Sequence, residues 1–279
     1  MGTLVAEYDV FAEFYDDFAE GYTDDVNLVL DVAKGLEART ILELCCGTGR
    51  CCFVLAELGY EVVGIDLSPK MIEVAERKRQ VLNIGSGNPL KVSFYQMNAE
   101  TFDLPRKNFD MIFSTWSSLQ HLDMDGRRKC YGQVFKHLRD GGVFFDDEAI
   151  RPVEELNKAG HCWYPPRPVF LRDGHVYFQY FLDTYDETQK IQKRRIYQDC
   201  FHAAEILNKG VRLPLDEQSR ITFTQHPASR KQIDMDLFQP NMKDNEEALK
   251  TAGFRSIEDK CRESKGGAAR YRFHIVATK

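Results

Sequence analysis

A run of small residues at positions 45–49 constrains the fold of this 279-residue chain more than any other stretch. The residues before it, 40–44, have the apolar composition of a buried strand, and residues 52–58 after it have apolar side chains at helical spacing. Gly47 and Gly49 lack a Cβ, so the backbone between strand and helix can turn sharply and approach a ligand closely. The spacing differs from the GxGxxG dinucleotide fingerprint. The sequence therefore predicts a strand, a tight ligand-binding turn and a helix.

A carboxylate follows at the end of the next predicted strand. Residues 61–66 form a β-type run that ends in Asp66, 17 residues after Gly49. At the C-terminal end of a second parallel strand, an acidic residue at that distance can accept hydrogen bonds from both hydroxyls of an adenosine ribose. Ser68 and Pro69 then supply an N-cap and a first helical residue, which predicts that a helix begins here.

Together these residues resemble the cofactor-binding half of class I S-adenosylmethionine-dependent methyltransferases. The matching positions are an acidic residue and two glycines after the first strand, then an aspartate and a helix start after the second: Glu43, Gly47, Gly49, Asp66, Leu67, Ser68, Pro69 and Met71. The alternative is a generic Rossmann-like strand–turn–helix unit that holds another nucleotide or no ligand.

The resemblance covers residues 8–150 and 243–279, and it implies an α/β fold. A Rossmann-like, seven-stranded, mostly parallel sheet with helices on both faces is expected, together with an antiparallel β insert. S-adenosylmethionine is the implied cofactor, S-adenosylhomocysteine the product, and no metal is expected. We expect residues 1–150 to form the cofactor-binding core with an N-terminal lid. Residues 151–240 are then a β-rich insert that covers the substrate, and residues 241–279 a helix and strands that complete the core sheet.

The insert is expected to carry a β-hairpin. Residues 176–184 and 190–197 are β-type runs on either side of a turn, and residues 221–224 are a third candidate strand. In the resembled enzymes such a sheet covers the pocket that binds the methyl acceptor. Trp163 and Tyr180 are therefore candidates for this substrate pocket. The alternative is an extra layer used for homodimer formation.

Composition limits the choice of partners and location. The net charge is −6 and no basic block occurs, which disfavours a nucleic-acid substrate. No apolar run approaches the ~18 residues of a membrane span, and the first residues are acidic where a signal peptide would be basic. A cytoplasmic protein is therefore expected. The eight cysteines show no C-x-x-C pair or zinc-type spacing, which favours small buried thiols over a metal site.

An aromatic and acidic segment, residues 8–22, precedes the core and predicts one or two short helices. One interpretation is an amphipathic helix that covers the edge of the core. In the resembled enzymes the segment forms a lid that contributes a tyrosine to the methionine end of the cofactor, where an aromatic ring attracts the sulfonium cation. Tyr15 is the first candidate for this role, followed by Tyr22 and Tyr8.

The segment after the fourth predicted strand, residues 113–122, is expected to face the transferable methyl group. It has no Asn/Asp-Pro-Pro-aromatic run, no Pro-Cys pair and no carboxylate for a magnesium site. It resembles bacterial natural-product methyltransferases, including amino-sugar N-methyltransferases, in which a histidine here lies near the acceptor. His121 is thus a candidate general base or orienting group, and a turn or packing residue is the alternative.

Further candidates come from the ends of other predicted strands. Asn98 and Ala99 follow the third strand and are assigned to the adenine ring by the resemblance. The fifth strand is followed by the acidic residues 146–148, for which a solvated loop is the default and binding of an amine or metal the alternative. The remaining cofactor candidates are Cys45, Leu67, Met71 and Ser114, and the remaining substrate-pocket candidates are Tyr22, Trp116 and Glu148.

The function that the residues and the resemblance favour is methyl transfer from S-adenosylmethionine to nitrogen or oxygen of a small molecule. Two alternatives stay open at this point. One is a protein or RNA methyltransferase of the same fold, and the other is a non-catalytic module that only binds S-adenosylmethionine.

Overall fold

The structure is a computed structural model that describes residues 8–19, 23–84, 87–149, 169–203, 228–259 and 272–279. The strands are β1 (Thr40–Leu44), β2 (Glu61–Asp66), β3 (Val92–Gln96), β4 (Phe109–Ser114), β5 (Leu138–Ala149), β6 (Val169–Arg172), β7 (His175–Asp186), β8 (Ile191–His202), β9 (Ser229–Phe238), β10 (Ser256–Asp259) and β11 (Arg272–Thr278). The helices are α1 (Tyr15–Ala19), α2 (Asp24–Gly35), α3 (Arg50–Glu57), α4 (Pro69–Asn83), α5 (Met124–His137) and α6 (Met242–Ala252). Short 3₁₀ turns span Ala12–Phe14 and Ser118–His121.

The chain divides into two compact units. The first contains residues up to Glu13, residues 23–152 and residues from Leu237 onward, and the second contains residues 14–22 and 153–236. The first unit is built on a seven-stranded sheet in the order β10-β11-β5-β4-β1-β2-β3. Within this sheet, strands β1 to β5 are parallel to one another. Strand β11 is antiparallel to both of its neighbours, β5 and β10. The predicted seven-stranded, mostly parallel sheet is confirmed.

Helices cover both faces of this sheet because side chains alternate along each strand and both sets are apolar. One cluster joins the sheet to α5 and α6 and includes Leu42, Ile112, Phe144, Tyr131 and Leu249. The other joins the sheet to α2 and α3 and includes Ile41, Phe113, Phe145, Val29 and Leu55. Burial of each such side chain stabilises the folded state by about 1.5–3 kcal/mol. The sheet is therefore a stable scaffold for the loops at its carboxyl edge.

Side-chain caps fix where the helices begin. Ser68 caps α4 by accepting a hydrogen bond from Met71 N at 3.1 Å, as predicted. Asp123 caps α5 and Asn241 caps α6, each accepting from a backbone N–H three residues on at 2.8 Å. The apolar spacing of the sequence predicts helices over residues 127–138 and 245–252, and both helices begin three residues before those positions. Among the described residues, no helix combines the length and apolarity needed to cross a membrane.

The prediction of a solvated loop for residues 146–148 is wrong. β5 continues through all three, and none of them is more than 1% exposed. They are buried because β4 pairs with one side of β5 and the antiparallel β11 with the other. Two of the three have partners within this unit, since Arg127 lies 2.8 Å from Glu148 and His274 lies 3.4 Å from Asp147. Burial raises the pKa of the third carboxyl, Asp146, well above its ordinary value.

The second unit contains an antiparallel sheet in the order β6-β7-β8-β9. β7 and β8 form the predicted hairpin, which is longer than predicted and pairs from His175↔His202 to Asp186↔Ile191. The predicted strand at 221–224 lies outside the described residues, and β9 was not predicted. Buried ion pairs, such as Arg194 with Asp183 at 2.8 Å, tie neighbouring residues of the hairpin together.

Candidate active site

The turn after β1 uses an unusual backbone. Cys45, Gly47 and Gly49 alternate along it with φ values of 54°, 54° and 81°, all in the left-handed region. A Cβ on Gly49 would lie 2.7 Å from Phe94 Cζ, so no side chain fits there. Cys45 adopts the same conformation with a side chain, which costs about 1–2 kcal/mol. In this shape Cys46 N donates to Ile65 O in β2 at 2.9 Å, while Gly49 N donates to Cys46 O within the turn at 2.9 Å.

Asp66 joins this turn to the end of β2. Its Oδ2 accepts a hydrogen bond from Gly47 N and its Oδ1 from Ser68 N, both at 2.8 Å. Burial raises the pKa of this carboxyl, against the lowering effect of the two backbone hydrogen bonds. A carboxylate has about four lone-pair sites, so it can accept further donors while holding both loops. The predicted glycine turn and aspartate therefore lie side by side at the carboxyl edge of adjacent strands.

Glu43 lies beneath the turn and is only 4% exposed. Cys52 Sγ in α3 donates a hydrogen bond to its Oε2 at 2.9 Å. Burial raises the pKa of Glu43 to about 7, and the hydrogen bond from Cys52 and the charge of Arg50 offset this only in part. Arg50 in turn pairs with the buried Asp25. A buried carboxyl of this kind gains from any additional cation placed near it.

The adenine candidates follow β3. Met97 N donates to Asp66 O at 2.9 Å, which places this strand end beside the aspartate. Asn98 Oδ1 accepts from Glu100 N at 2.8 Å and therefore shapes its own turn, while Ala99 is buried. The amide oxygen of Asn98 keeps one lone pair for a ligand.

The other cofactor candidates differ in exposure. Ser114 ends β4, is fully buried, and its hydroxyl has no hydrogen-bond partner within the part of the chain that the structure describes. Leu67 is 38% exposed, directly after Asp66, whereas Met71 is buried in the first turn of α4. A buried hydroxyl without a partner at a strand end is a site where a polar ligand atom would be stabilised.

His121 ends the 3₁₀ turn that follows β4. The hydroxyl of Tyr8 lies 2.7 Å from its Nε2, and the two rings meet edge to face with centroids 5.3 Å apart. Sequence reasoning ranked Tyr8 behind Tyr15 and Tyr22. Tyr15 lies in α1 and belongs to the second unit, so its role stays a prediction, and Tyr22 lies outside the described residues.

The segment that carries Tyr8 is attached to the core by polar contacts. Asp9 Oδ1 accepts hydrogen bonds from the Ser68 hydroxyl and from Lys70 N, at the start of α4. Glu13 forms an exposed ion pair with Arg77, also in α4, at 2.7 Å. These contacts hold residues 8–13 near the carboxyl end of β2.

The substrate-pocket candidates do not all lie together. Trp116 follows β4, and the guanidinium of Arg50 lies 4.7 Å from its ring centroid. Glu148 is fully buried and paired with Arg127, so it faces the interior of the first unit. Tyr180 lies in β7, where its backbone pairs with that of Tyr197 in β8.

Trp163 lies outside the described residues. Within the described part of the chain, no three or more His, Cys, Asp and Glu side chains form a group that could hold a metal ion.

The sheet order and the glycine turn define a class, the Rossmann-like α/β domains. Residues 41–142 match the family model described as a methyltransferase domain. Aklanonic acid methyltransferase DauC from Streptomyces sp. (strain C5) is 29% identical over 148 residues, which cover 52% of this chain and 64% of that protein. The chain spans between 47% and 64% of the length of such curated relatives.

Solved structures share the fold over almost the whole chain. The sugar N-methyltransferase KedS8 from Streptoalloteichus sp ATCC 53650 has a TM-score of 0.69 at 20% identity, covering 96% of this chain and 92% of that one. CalS10, an amino pentose methyltransferase from Micromonospora echinaspora described with bound S-adenosylmethionine, has a TM-score of 0.68 at 18% identity, covering 96% of both chains. At such identities the likeness concerns the fold.

Proposed function

We propose that this chain transfers a methyl group from S-adenosylmethionine to nitrogen or oxygen of a small molecule. The observation that carries the proposal is the position of Asp66, whose carboxylate accepts from Gly47 N across the gap between β1 and β2. In open parallel sheets, ligands bind at this carboxyl edge, and an acidic residue at the end of the second strand binds ribose hydroxyls.

The residues around Asp66 fit the cofactor. Gly47 has no side chain to separate its left-handed backbone from a ligand. The Ser114 hydroxyl, which has no hydrogen-bond partner among the described residues, offers a polar contact, and Ala99 offers an apolar one for the adenine ring. Glu43 offers a carboxyl beneath the turn, whose pKa burial raises to about 7. We assign these residues, with Cys45, Leu67, Met71 and Asn98, to cofactor binding.

A small-molecule acceptor is supported by three observations. The net charge of −6 disfavours a polyanionic substrate. Relatives and structural neighbours include proteins named for aklanonic acid, sugar and amino pentose methylation. The segment after β4 carries a histidine and a tryptophan instead of the motifs of base or glutamine methylation. Homodimer formation through the second unit is a further proposal that an oligomeric-state measurement would address.

The chemistry requires little more than placement and removal of a proton. The bound cofactor supplies an electrophilic methyl group on a positively charged sulfur. The chain must orient the acceptor in line with that methyl group and exclude water. His121 can accept at Nδ1 the proton that the acceptor nitrogen or oxygen loses, in the tautomer whose Nε2–H donates to the Tyr8 hydroxyl 2.7 Å away, and this hydrogen bond fixes the imidazole orientation.

The deciding experiment is a screen of small amines, phenols and carboxylates for release of S-adenosylhomocysteine. We expect at least one class to give turnover, with His121→Ala slower by about 100-fold or more while cofactor affinity is retained. Cofactor binding without turnover on any small molecule would instead favour a binding module. Turnover only with protein or RNA fractions would favour the other alternative. If calorimetry detected no binding of S-adenosylmethionine, the proposal would be wrong.

A further inference from the structure

Two consecutive residues after β4 adopt a left-handed backbone conformation, which is unfavourable for residues other than glycine. Trp116 and Ser117 both have φ of 58°, in the left-handed region. For a residue with a Cβ this costs roughly 1–2 kcal/mol, and here two neighbours adopt it together. Such conformations persist only where the surrounding structure holds them, and they concentrate at functional sites.

The end of β5 holds this pair. Asp147 Oδ2 accepts a hydrogen bond from Trp116 N at 3.2 Å, and the carbonyl oxygen of Asp147 accepts from Ser117 N at 2.9 Å. The Ser117 hydroxyl accepts from Ala149 N at 2.8 Å, and Gln120 Nε2 donates to Ala149 O at 2.7 Å. Four hydrogen bonds thus join the β4 loop to two residues of β5.

The strained pair sets the direction of the loop that carries His121. Ser117 is the N-cap position of the 3₁₀ turn Ser118–His121, and its carbonyl oxygen accepts from Gln120 N at 2.9 Å. A change of φ at Ser117 would therefore rotate the whole turn. Asp147 is 1% exposed and its second oxygen lies 3.4 Å from His274 in β11, so its side chain is itself fixed.

We propose that Asp147 is a positioning residue, which holds Trp116 and Ser117 in the left-handed conformation and thereby places His121 beside Tyr8. Asp147 acts on the reaction through the loop, by its hydrogen bonds with Trp116 and Ser117. The inference rests on the proposed function in one respect, namely that His121 serves methyl transfer.

The first test observes the loop without any acceptor. Trp116 and Trp163 are the two tryptophans of the chain, so Trp163→Phe leaves Trp116 as the single fluorophore. In that background we expect Asp147→Ala to change the emission of Trp116 and to speed amide exchange over residues 116–122. Asp147→Asn keeps an oxygen that can accept from Trp116 N and should restore both signals.

A stability control separates positioning from general damage. Phe144→Leu removes packing from the same strand on the opposite face, where Phe144 packs against Tyr131 and Phe254, and should destabilise the fold without changing Trp116 emission at equal folded fraction. If Asp147→Ala does not fold, Ser117→Ala tests the same connection, because it removes the acceptor of Ala149 N. Unchanged emission and exchange in the folded variant, or the same changes in Phe144→Leu, would overturn the inference.

Turnover adds an independent measurement. With an acceptor found in the screen, we expect kcat of Asp147→Ala to fall by about 100-fold, as for a displacement of a catalytic group by ~1 Å. The KM for S-adenosylmethionine should stay unchanged, and Asp147→Asn should recover most of kcat. A wild-type chain with no turnover would contradict the proposed function, whereas the fluorescence and exchange data would still decide the role of Asp147.

Discussion

Gly49 stands where the backbone conformation and the available space both exclude a side chain. We expect Gly49→Ala to lower the free energy of unfolding by about 2–4 kcal/mol, because a methyl group 2.7 Å from Phe94 Cζ adds overpacking to left-handed strain. Gly132→Ala is the matched control, since it lies in α5 with nothing within 4 Å. The control should raise stability by about 0.5–1 kcal/mol. Urea unfolding measures both, and equal effects would contradict the packing argument.

Asp66 carries the cofactor assignment, so its removal should show in binding. We expect Asp66→Ala to weaken S-adenosylmethionine affinity by about 10-fold or more, because hydrogen bonds to a charged group are worth about 1.5–3 kcal/mol. Asp140→Ala is the control, a fully exposed carboxylate near the start of β5. Isothermal calorimetry of both variants gives the answer. Equal affinities would remove the ribose assignment.

Glu43 should make stability depend on pH near neutrality. Its pKa is about 7 in the folded chain against 4.5 when unfolded, so the folded state binds the extra proton between these values. Its contribution is complete below pH 4.5 and is lost as pH rises through 7. The difference corresponds to about 3 kcal/mol. In urea unfolding, we expect the wild type to lose about 2.5 kcal/mol more stability than Glu43→Gln between pH 5 and pH 8, because part of the contribution is already lost at pH 5. Parallel pH profiles would contradict the burial argument.

At the scale of secondary structure, elements specified by neighbouring residues can be predicted from this sequence. Features that depend on residues far along the chain cannot. The glycine turn, Asp66 and the cap at Ser68 are encoded within a few residues, so the β1–α3 and β2–α4 units were predictable. The burial of residues 146–148 depends on β11, more than 120 residues later, and on Arg127, which no local pattern connects to them. The starts of α5 and α6 were placed late because their caps precede the apolar stripe.

Prediction of the candidate site is limited in the same way, because contacts between residues far apart in the chain leave no local pattern. The cofactor side follows from spacing along two neighbouring strands, and its residues meet as expected. Tyr8 contacts His121 across 113 residues, and no local pattern in the aromatic segment connects this tyrosine to that histidine. A signal did exist for Asp147: a carboxylate in an apolar run near the end of a strand needs a buried partner.

The N-terminal segment gives a prediction for an element. We expect Asp9→Ala to speed amide exchange of residues 8–13 and to lower turnover, because it removes the acceptor of two donors at the start of α4. Global stability should change by less than about 1 kcal/mol, since Ser68 still caps the helix. Glu13→Ala removes only an exposed ion pair and should change exchange little. The same exchange rates in both variants would contradict a specific role for Asp9.

For the whole molecule, a ligand at the carboxyl edge should stabilise the first unit. The residues that we assign to cofactor binding under the proposed function all belong to it. At a free S-adenosylhomocysteine concentration of 100 Kd, binding adds about 2.7 kcal/mol to the free energy of unfolding. Amide exchange should slow in β1 and β2 by the corresponding factor of about 100. Asp66→Ala should reduce this protection at the same ligand concentration, and protection confined to the second unit would contradict the assignment.

The thiols of Cys46, Cys51 and Cys52 are free, at most 5% exposed, and burial raises the pKa of each. Reagents such as iodoacetamide react with exposed thiolates, so these three side chains become modified only when the segment between β1 and α3 opens. The rate of alkylation of the peptide containing them, followed by mass spectrometry, therefore reports the opening frequency of that segment in the unmodified sequence.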